Sequence, residues 1–181
     1  MQRCLIIKIT ITQYALKPFQ VVLCLSEVKG MEVNMNEITL KRLKEAGWNN
    51  DRKIDISDIK LKYKKIGLEM PINISVFLEE FGFLKIDPPD KKYFDVEFNP
   101  IEAIGINLTA EYFEECLKDY GINEKVFPIG MAREDNLFVL MTEKNTVFVF
   151  TDGCLGKAGS SVEEMLDCLV GECFLPEDIV Y

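Results

Sequence analysis

The fold of this chain is decided by residues 137–150, LFVLMTEKNTVFVF. The two ends of this stretch, 137–141 and 146–150, are short runs rich in the aromatic and β-branched residues that favour strands. Between them, Glu143-Lys144-Asn145 is typical of a tight polar turn. The sequence therefore predicts an antiparallel β-hairpin at this position.

Further strands and helices are predicted around the hairpin. Residues 93–98 alternate apolar and acidic side chains, as a half-buried strand does, and 84–87 and 126–129 are further short strands. Apolar residues at helical spacing begin near five positions, which are Asn36, Ser57, Ser75, Thr109 and Ser161. Helices followed by antiparallel strands are typical of an α+β single domain. The expected fold is an antiparallel sheet of about four to six strands packed against helices.

The chain is acidic along most of its length. Among its 181 residues, 21 are Lys or Arg and 30 are Asp or Glu, which gives a net charge of −9. Residues 1–30 hold four basic and one acidic side chain, so the remainder carries −12. Such a surface repels nucleic acid and anionic membranes and attracts basic partners. We therefore predict no direct nucleic-acid partner and no membrane partner, and two interpretations stay open: solubility alone, or a binding surface for a basic protein.

The chemistry available to the chain is limited because it contains no histidine. This excludes Ser-His-Asp and Cys-His catalysis and any His-ligated metal site. The six cysteines form no Cys-x-x-Cys pair, so we predict reduced thiols in a cytoplasmic protein. The expectation is a protein that is not an enzyme and has no cofactor and no metal.

Residues 153–161, GCLGKAGSS, invite comparison with a phosphate-binding loop. That motif requires a Gly, four residues, and then Gly-Lys followed by Ser or Thr. Here Gly153 lies too close to Gly156, and Ala158 occupies the Ser/Thr position. We predict instead a strand-to-helix loop that ends in a Ser cap.

The first 34 residues are treated as an N-terminal extension, and residues 35–181 as the folded domain. The extension contains apolar runs at 5–7 and 21–25. Three interpretations stay open: an edge hairpin, a weak membrane-targeting segment, or translated upstream sequence with Met31 or Met35 as the true start. The sharp change in composition favours the last.

The single tryptophan, Trp48, directly follows Gly47, which ends the first predicted helix. Tryptophan is largely buried in most proteins, so the favoured interpretation is a residue at the edge of the core. The alternative is an exposed anchor for a partner. Arg52, four residues later, is expected to stack on Trp48 or to pair with a nearby acid.

Three short motifs occur in order along the chain. They are LKEAGW at 43–48 with Arg52 after it, VFLEEFGFL at 76–84, and FPIG at 127–130. Together with the hairpin and the final helix they cover about residues 37–173, and the set resembles the SUKH superfamily of immunity domains, particularly its third-type subgroup. Family members often carry glycine where this chain has Phe83, and another after the turn where it has Lys144-Asn145-Thr146.

The resemblance implies a bacterial immunity protein that binds and blocks a cognate toxin, often a nuclease, from a polymorphic or contact-dependent system. Because nucleases carry basic substrate clefts, an acidic protein is suited to occupy such a cleft. The residues that match the family motifs are implied to be framework rather than an active site: Gly47, Trp48, Arg52, Phe81, Gly82, Pro128 and Gly130.

The predicted partner-binding residues are seven acidic side chains. Four are expected in loops, Glu134, Asp135, Glu143 and Asp152, and three on the middle helix, Glu111, Glu114 and Glu115. The alternative for each is a solvated charge. Two other functions stay open: a non-catalytic regulatory or adaptor protein of the same fold, and a hydrolase that uses carboxylates alone.

Overall fold

A computed structural model describes residues 35–93, 95–132, 136–151 and 153–180. All described residues belong to one compact unit, Val33–Tyr181. The predicted N-terminal extension and its candidate edge hairpin lie outside the described residues.

Six helices and seven strands are formed by the described residues. The helices are α1 (Glu37–Glu45), α2 (Ser57–Lys65), α3 (Ile72–Phe81), α4 (Pro100–Ile104), α5 (Ala110–Lys118) and α6 (Val162–Leu169). The strands are β1 (Lys85–Ile86), β2 (Val96–Glu97), β3 (Val126–Ala132), β4 (Leu137–Thr142), β5 (Val147–Thr151), β6 (Cys154–Gly159) and β7 (Glu177–Ile179). All seven strands form one antiparallel sheet in sequential order. The predicted α+β class is confirmed.

The central hairpin follows the prediction in detail. Residues Met141 and Val147 pair across it, and the Thr142 side-chain oxygen accepts hydrogen bonds from the backbone N–H groups of Lys144 and Thr146, each at 3.2 Å. Asn145 adopts a φ of 67°, a conformation that asparagine tolerates better than most residues. Local turn chemistry is therefore sufficient to set this hairpin.

The sheet has seven strands instead of the expected four to six, because β6 and β7 extend it at one edge. The prediction of a loop over 153–161 was wrong, since residues 154–159 pair with β5 and β7. Gly156 and Gly159 within β6 serve close packing, whereas Gly153, with a φ of 85°, forms the turn that leads into the strand. A Cβ atom at Gly159 would lie 2.6 Å from the backbone nitrogen of Met165, so α6 rests directly on β6. The predicted Ser cap is present, because the Ser161 hydroxyl accepts a hydrogen bond from the Glu164 N–H at 3.2 Å.

The sheet carries a hydrophobic core on each face. Along β5, Val147 and Val149 belong to the main core, which α1, α2, α3 and α6 complete. Phe148 and Phe150 belong to a second core with Phe113 of α5. Side chains alternate between the two faces of a strand, so neither face of β5 is available to water. This places α5 on the opposite side of the sheet from the other long helices.

The Pro-Ile-Gly motif lies on β3, next to the residues that pair with β2. The pairing of β3 with β4 is irregular between Pro128 and Gly130, which suits a proline that has no N–H to contribute. The carbonyl of Pro128 instead accepts a hydrogen bond from the fully buried Tyr63 hydroxyl at 2.9 Å. A Cβ atom at Gly130 would lie 2.2 Å from the backbone oxygen of Glu97. Only glycine permits this approach of the two strands.

Phe83, where family members often carry glycine, also has an unusual backbone conformation. Phe83 has a φ of 59°, in the left-handed region that favours glycine. Its N–H donates to the backbone oxygen of Phe98 at 2.7 Å, and Leu84 N–H donates to the oxygen of Phe81 at 3.1 Å. These bonds hold the exit of α3 in the turn that leads into β1.

A buried arginine joins α1 to the end of α6 and to the loop before β2. The guanidinium of Arg42 donates to the backbone oxygen of Val170 at 2.8 Å and pairs with the carboxylate of Glu172 at 3.3 Å. Glu172 in turn accepts from the backbone N–H groups of Lys92 at 3.0 Å and Tyr93 at 2.6 Å. The network thus pairs the buried charge of Arg42 and bonds its Nη1 atom, as burial of an ion requires, whereas its Nε atom has no hydrogen-bond partner among the described residues.

Lys91 lies beside this network with its ammonium nitrogen buried. The nitrogen has no hydrogen-bond partner among the described residues. Burial lowers the pKa of Lys91 to about 8, while the carboxylate of Glu172 opposes this effect and the guanidinium of Arg42 adds to it. The folded state therefore holds this side chain at a cost in stability.

Gly130→Ala is expected to lower the free energy of unfolding by about 2–4 kcal/mol, because the added methyl group must displace backbone atoms of β2. Urea denaturation of the full-length wild-type and variant proteins measures this change in the free energy of unfolding. The matched control is Gly121→Ala, where nothing lies within 4 Å of the new Cβ atom. Only the φ of 75° opposes alanine there, at about 1 kcal/mol. Equal losses in the two variants would contradict the close approach of β2 and β3.

Lys91→Met is expected to raise the free energy of unfolding at pH 7 by about 2 kcal/mol, since it removes a cation that burial disfavours. The folded pKa of Lys91 lies near 8 and its ordinary value is 10.5. Between these values the folded state binds fewer protons than the unfolded state, so the wild-type protein gains stability as pH rises across this window. Urea denaturation from pH 7 to 10.5 tests this, with the exposed Lys92→Met as control. A Lys91→Met variant that keeps the same rise as wild type would refute the assignment.

Candidate partner-binding surface

Trp48 is part of the core and not an exposed anchor. Its side chain is 4% exposed and stacks on Phe81, with ring centroids 6.1 Å apart and planes 4° from parallel. The indole Nε1–H donates to the carboxylate of Glu80 at 3.0 Å, which satisfies the one polar group of the ring. Gly47 before it has a φ of 98°, a turn conformation suited to glycine.

Arg52 binds the carboxyl end of α3. Its guanidinium donates to the backbone oxygens of Glu80 and Gly82, the second at 2.7 Å. Burial lowers the pKa of Arg52, and the Glu80 carboxylate opposes that effect. The main partners of Arg52 are thus backbone carbonyls that α3 leaves unsatisfied, with the Glu80 carboxylate as the nearby acid. At Gly82 a Cβ atom would lie 2.4 Å from the backbone oxygen of Leu78, so this turn has no room for a side chain.

The acidic residues of α5 lie on the outer side of that helix. Phe113 and Leu117 face the second core, whereas Glu111 and Glu115 are exposed and Glu114 is half-buried. None of the three carboxylates forms an ion pair with a Lys or Arg within the described ranges. Hydrogen bonds from its own backbone N–H and from the Thr109 hydroxyl lower the pKa of Glu111, which keeps this carboxylate ionised.

Contacts between aromatic rings show over which end of the sheet α5, with its three glutamates, is placed. Phe113 of α5 packs edge-on against Phe138 with centroids 5.3 Å apart, and Phe138 stacks on Phe150 at 6.4 Å. Phe138 lies near the start of β4 and Phe150 near the end of β5. The first turns of α5 therefore lie over the strand ends that flank Glu134, Asp135 and Asp152 in sequence. Those three predicted residues themselves fall outside the part of the chain that the structure describes.

Glu143 lies at the other end of the hairpin. It occupies the turn between β4 and β5. Strand β4 has six residues and is about 20 Å long, and this length separates Glu143 from the strand ends beneath the first turns of α5. Its neighbour Lys144 is already paired with Glu124 at 2.8 Å. Four of the seven predicted acidic residues are described, three on α5 and Glu143 at the opposite end of the hairpin, and none of the four forms an ion pair with a Lys or Arg in the described regions. That any of them binds a partner stays a prediction.

A cleft that the sequence analysis missed lies beside the start of α5. We call it the α5 cleft; it has a volume of about 450 Å³ and is lined by residues 102–108 together with Met131 and Phe138. Ile106 at its edge is 97% exposed. The only indication of this cleft in the sequence is that the loop GINL at 105–108, between two helices, contains an isoleucine and a leucine. No helix among the described residues is long and apolar enough to cross a membrane.

Comparison with known proteins identifies the family. A family model described as SUKH-3 immunity protein matches residues 35–172, which is most of the chain and nearly all of the described domain. No curated protein and no solved structure matches it. The resemblance drawn from the Gly-Trp, Phe-Gly and Pro-Ile-Gly motifs is confirmed by this match. The chain belongs to the SUKH-3 immunity protein family.

Proposed function

We propose that this protein is an immunity protein that binds a cognate bacterial toxin and neutralises it by stoichiometric association in the cytoplasm. The single observation that carries the proposal is the family match over residues 35–172. The protein needs no chemistry of its own for this role, because occupying the working surface of a toxin is enough to stop it. The toxin would come from a polymorphic or contact-dependent system.

We further propose that the toxin is a basic protein of the nuclease type. Support comes from the charge of residues 31–181, net −12, and from the carboxylates of α5, which form no ion pair within the described residues. Glu111 and Glu115 are four residues apart, so they project from the same side of the helix, with Glu114 beside them. A nuclease must carry a basic cleft to hold its substrate, and opposite charges on two proteins speed their association.

The packing of α5 supports the choice of this surface over the rest of the molecule. Inward residues Phe113 and Leu117 are fully buried against the sheet, so the backbone of the helix is held firmly. A rigid helix presents its carboxylates in a defined arrangement, and less conformational entropy is lost on binding. The exposed carboxylates are thus available without disturbing the fold.

Co-expression with the toxin domain encoded beside this gene is expected to restore growth of the bacterial host and to yield a complex that co-purifies at a fixed stoichiometry. A toxin of unrelated sequence serves as the control and should not be neutralised. Continued killing by the neighbouring toxin, with no complex recovered from cells that contain the folded protein, would refute the proposed function.

Replacing Glu111, Glu114 and Glu115 with Gln is expected to weaken toxin binding by roughly tenfold at low salt, because three attractive charges are lost. The dependence of affinity on salt should also become shallower. Calorimetric titration at two salt concentrations measures both.

The charge-matched control replaces Glu37 with Gln and both Asp51 and Asp58 with Asn. All three control residues are exposed and lie on or between α1 and α2, which pack on the face of the sheet opposite α5, so the net charge changes equally while the local field at α5 is kept. Equal losses of affinity in the two triple variants would show that overall charge, and not the α5 surface, attracts the toxin.

A further inference from the structure

We propose that the α5 cleft is the anchor point for the toxin and that it receives one apolar side chain flanked by Lys or Arg residues of the toxin. This inference rests on the proposed function and specifies the partner chemistry of the same surface. It is carried by three features of the described residues: an open apolar cleft, an exposed isoleucine at its edge, and carboxylates around it.

The cleft has the size and the rigidity of a binding pocket. Its volume of about 450 Å³ lies within the usual range for sites that hold a small molecule or a large side chain. Phe138 forms part of the wall and is fixed from behind by Phe113 and Phe150, with ring centroids 5.3 and 6.4 Å away. A wall supported in this way loses little entropy when a partner packs on it.

The loop on the other side of the cleft is also held in place. Gly105 ends α4 with a φ of 57°, and its N–H donates to the backbone oxygen of Glu102 at 2.9 Å. The ammonium of Lys62 in α2 donates to the backbone oxygen of Gly105. These bonds fix the backbone from which Ile106 projects into solvent. Lys62 thereby places one cation beside the wall of the cleft that this loop forms.

Apolar side chains are exposed together at this place. Ile106 is 97% exposed, and Tyr112, whose ring lies 6.5 Å from that of Phe138, is 37% exposed. Single exposed apolar residues are common, but exposed apolar residues around one cleft are typical of surfaces that bind another molecule. Aromatic residues at the centre of an interface also contribute strongly to affinity.

The charges around the cleft select the partner. Glu102 is exposed and lines the cleft itself, while Glu111 and Glu115 project from the helix beside it. An apolar residue flanked by cations complements this arrangement in both polarity and charge. A second copy of the same chain complements it less well, because a symmetric contact would bring like carboxylates together. The favoured occupant is therefore a basic segment of the toxin.

Ile106→Ser tests the apolar contact. We expect the dissociation constant of the toxin complex to rise by about tenfold or more, with no change in the unfolding transition, because the side chain is almost entirely in solvent in the free protein. The matched control is Ile72→Ser on α3, which is 79% exposed and lies on the helical layer that covers the opposite face of the sheet. This control should bind as the wild-type protein does.

Charged replacements at the same position test the second half of the inference. Ile106→Lys is expected to bind more weakly than Ile106→Glu, because lysine adds repulsion against a basic segment. The reverse order would overturn the assignment of a basic partner to this cleft.

The outcomes separate this inference from the proposed function. Wild-type affinity in Ile106→Ser, with the toxin still bound and neutralised, would overturn the anchor and leave the immunity function intact. Failure of the wild-type protein itself to bind or protect would overturn the function. A change in oligomeric state without a change in toxin affinity, seen by light scattering, would assign the cleft to self-association and overturn the inference.

Discussion

Val147 and Val149 point from β5 into the main core, whereas Phe148 and Phe150 point into the second core on the opposite side of the sheet. Burying both faces of the central strands is the constraint on which the rest of the structure depends. One face is covered by α1, α2, α3 and α6, and the other requires a further layer, which α5 supplies. Since α5 is the one helix of the second core within the described residues, its outer side faces solvent. The demand for burial thereby places a row of carboxylates on the surface.

Close approach of backbones is the second condition for this layered arrangement. Gly130 lets β3 meet β2, and Gly159 lets α6 rest on β6, at positions where a Cβ atom would overlap backbone. Backbone carbonyls outside regular pairing are satisfied by side-chain donors. Tyr63 donates to the carbonyl of Pro128, and Arg42 and Arg52 donate to carbonyls at the ends of α6 and α3. The residues of the family motifs consequently build the scaffold. Under the proposed function, toxin recognition falls to side chains outside the motifs, where substitutions need not disturb the fold.

The proposed binding surface combines two kinds of interaction with different roles. Carboxylates on α5 act at long range and govern the rate of encounter and the choice of a basic partner. The α5 cleft, with Ile106 and Phe138, acts at contact and governs how long the complex lasts. Both lie at the same end of the sheet because Phe113 carries the first turns of α5 onto Phe138. Glu143, at the opposite end of β4, is separated from them by the length of a strand.

Features controlled by local chemistry could be predicted from the amino-acid sequence. The hairpin follows from two strand-forming runs around a polar turn, the Ser161 cap from a hydroxyl three residues before Glu164, and the family from ordered motifs. The sequence did not reveal β6, because glycines that allow close packing look like glycines that make turns, nor β7, whose exposed edge has no apolar alternation. Only the tertiary structure decided which acidic residues are neighbours and where a cleft opens. Successive turns of an antiparallel sheet lie at alternate ends of the strands. Glu143 and the start of β4 are therefore close in sequence but a strand length apart in space. In contrast, α5 and β4 are distant in sequence and meet through packing.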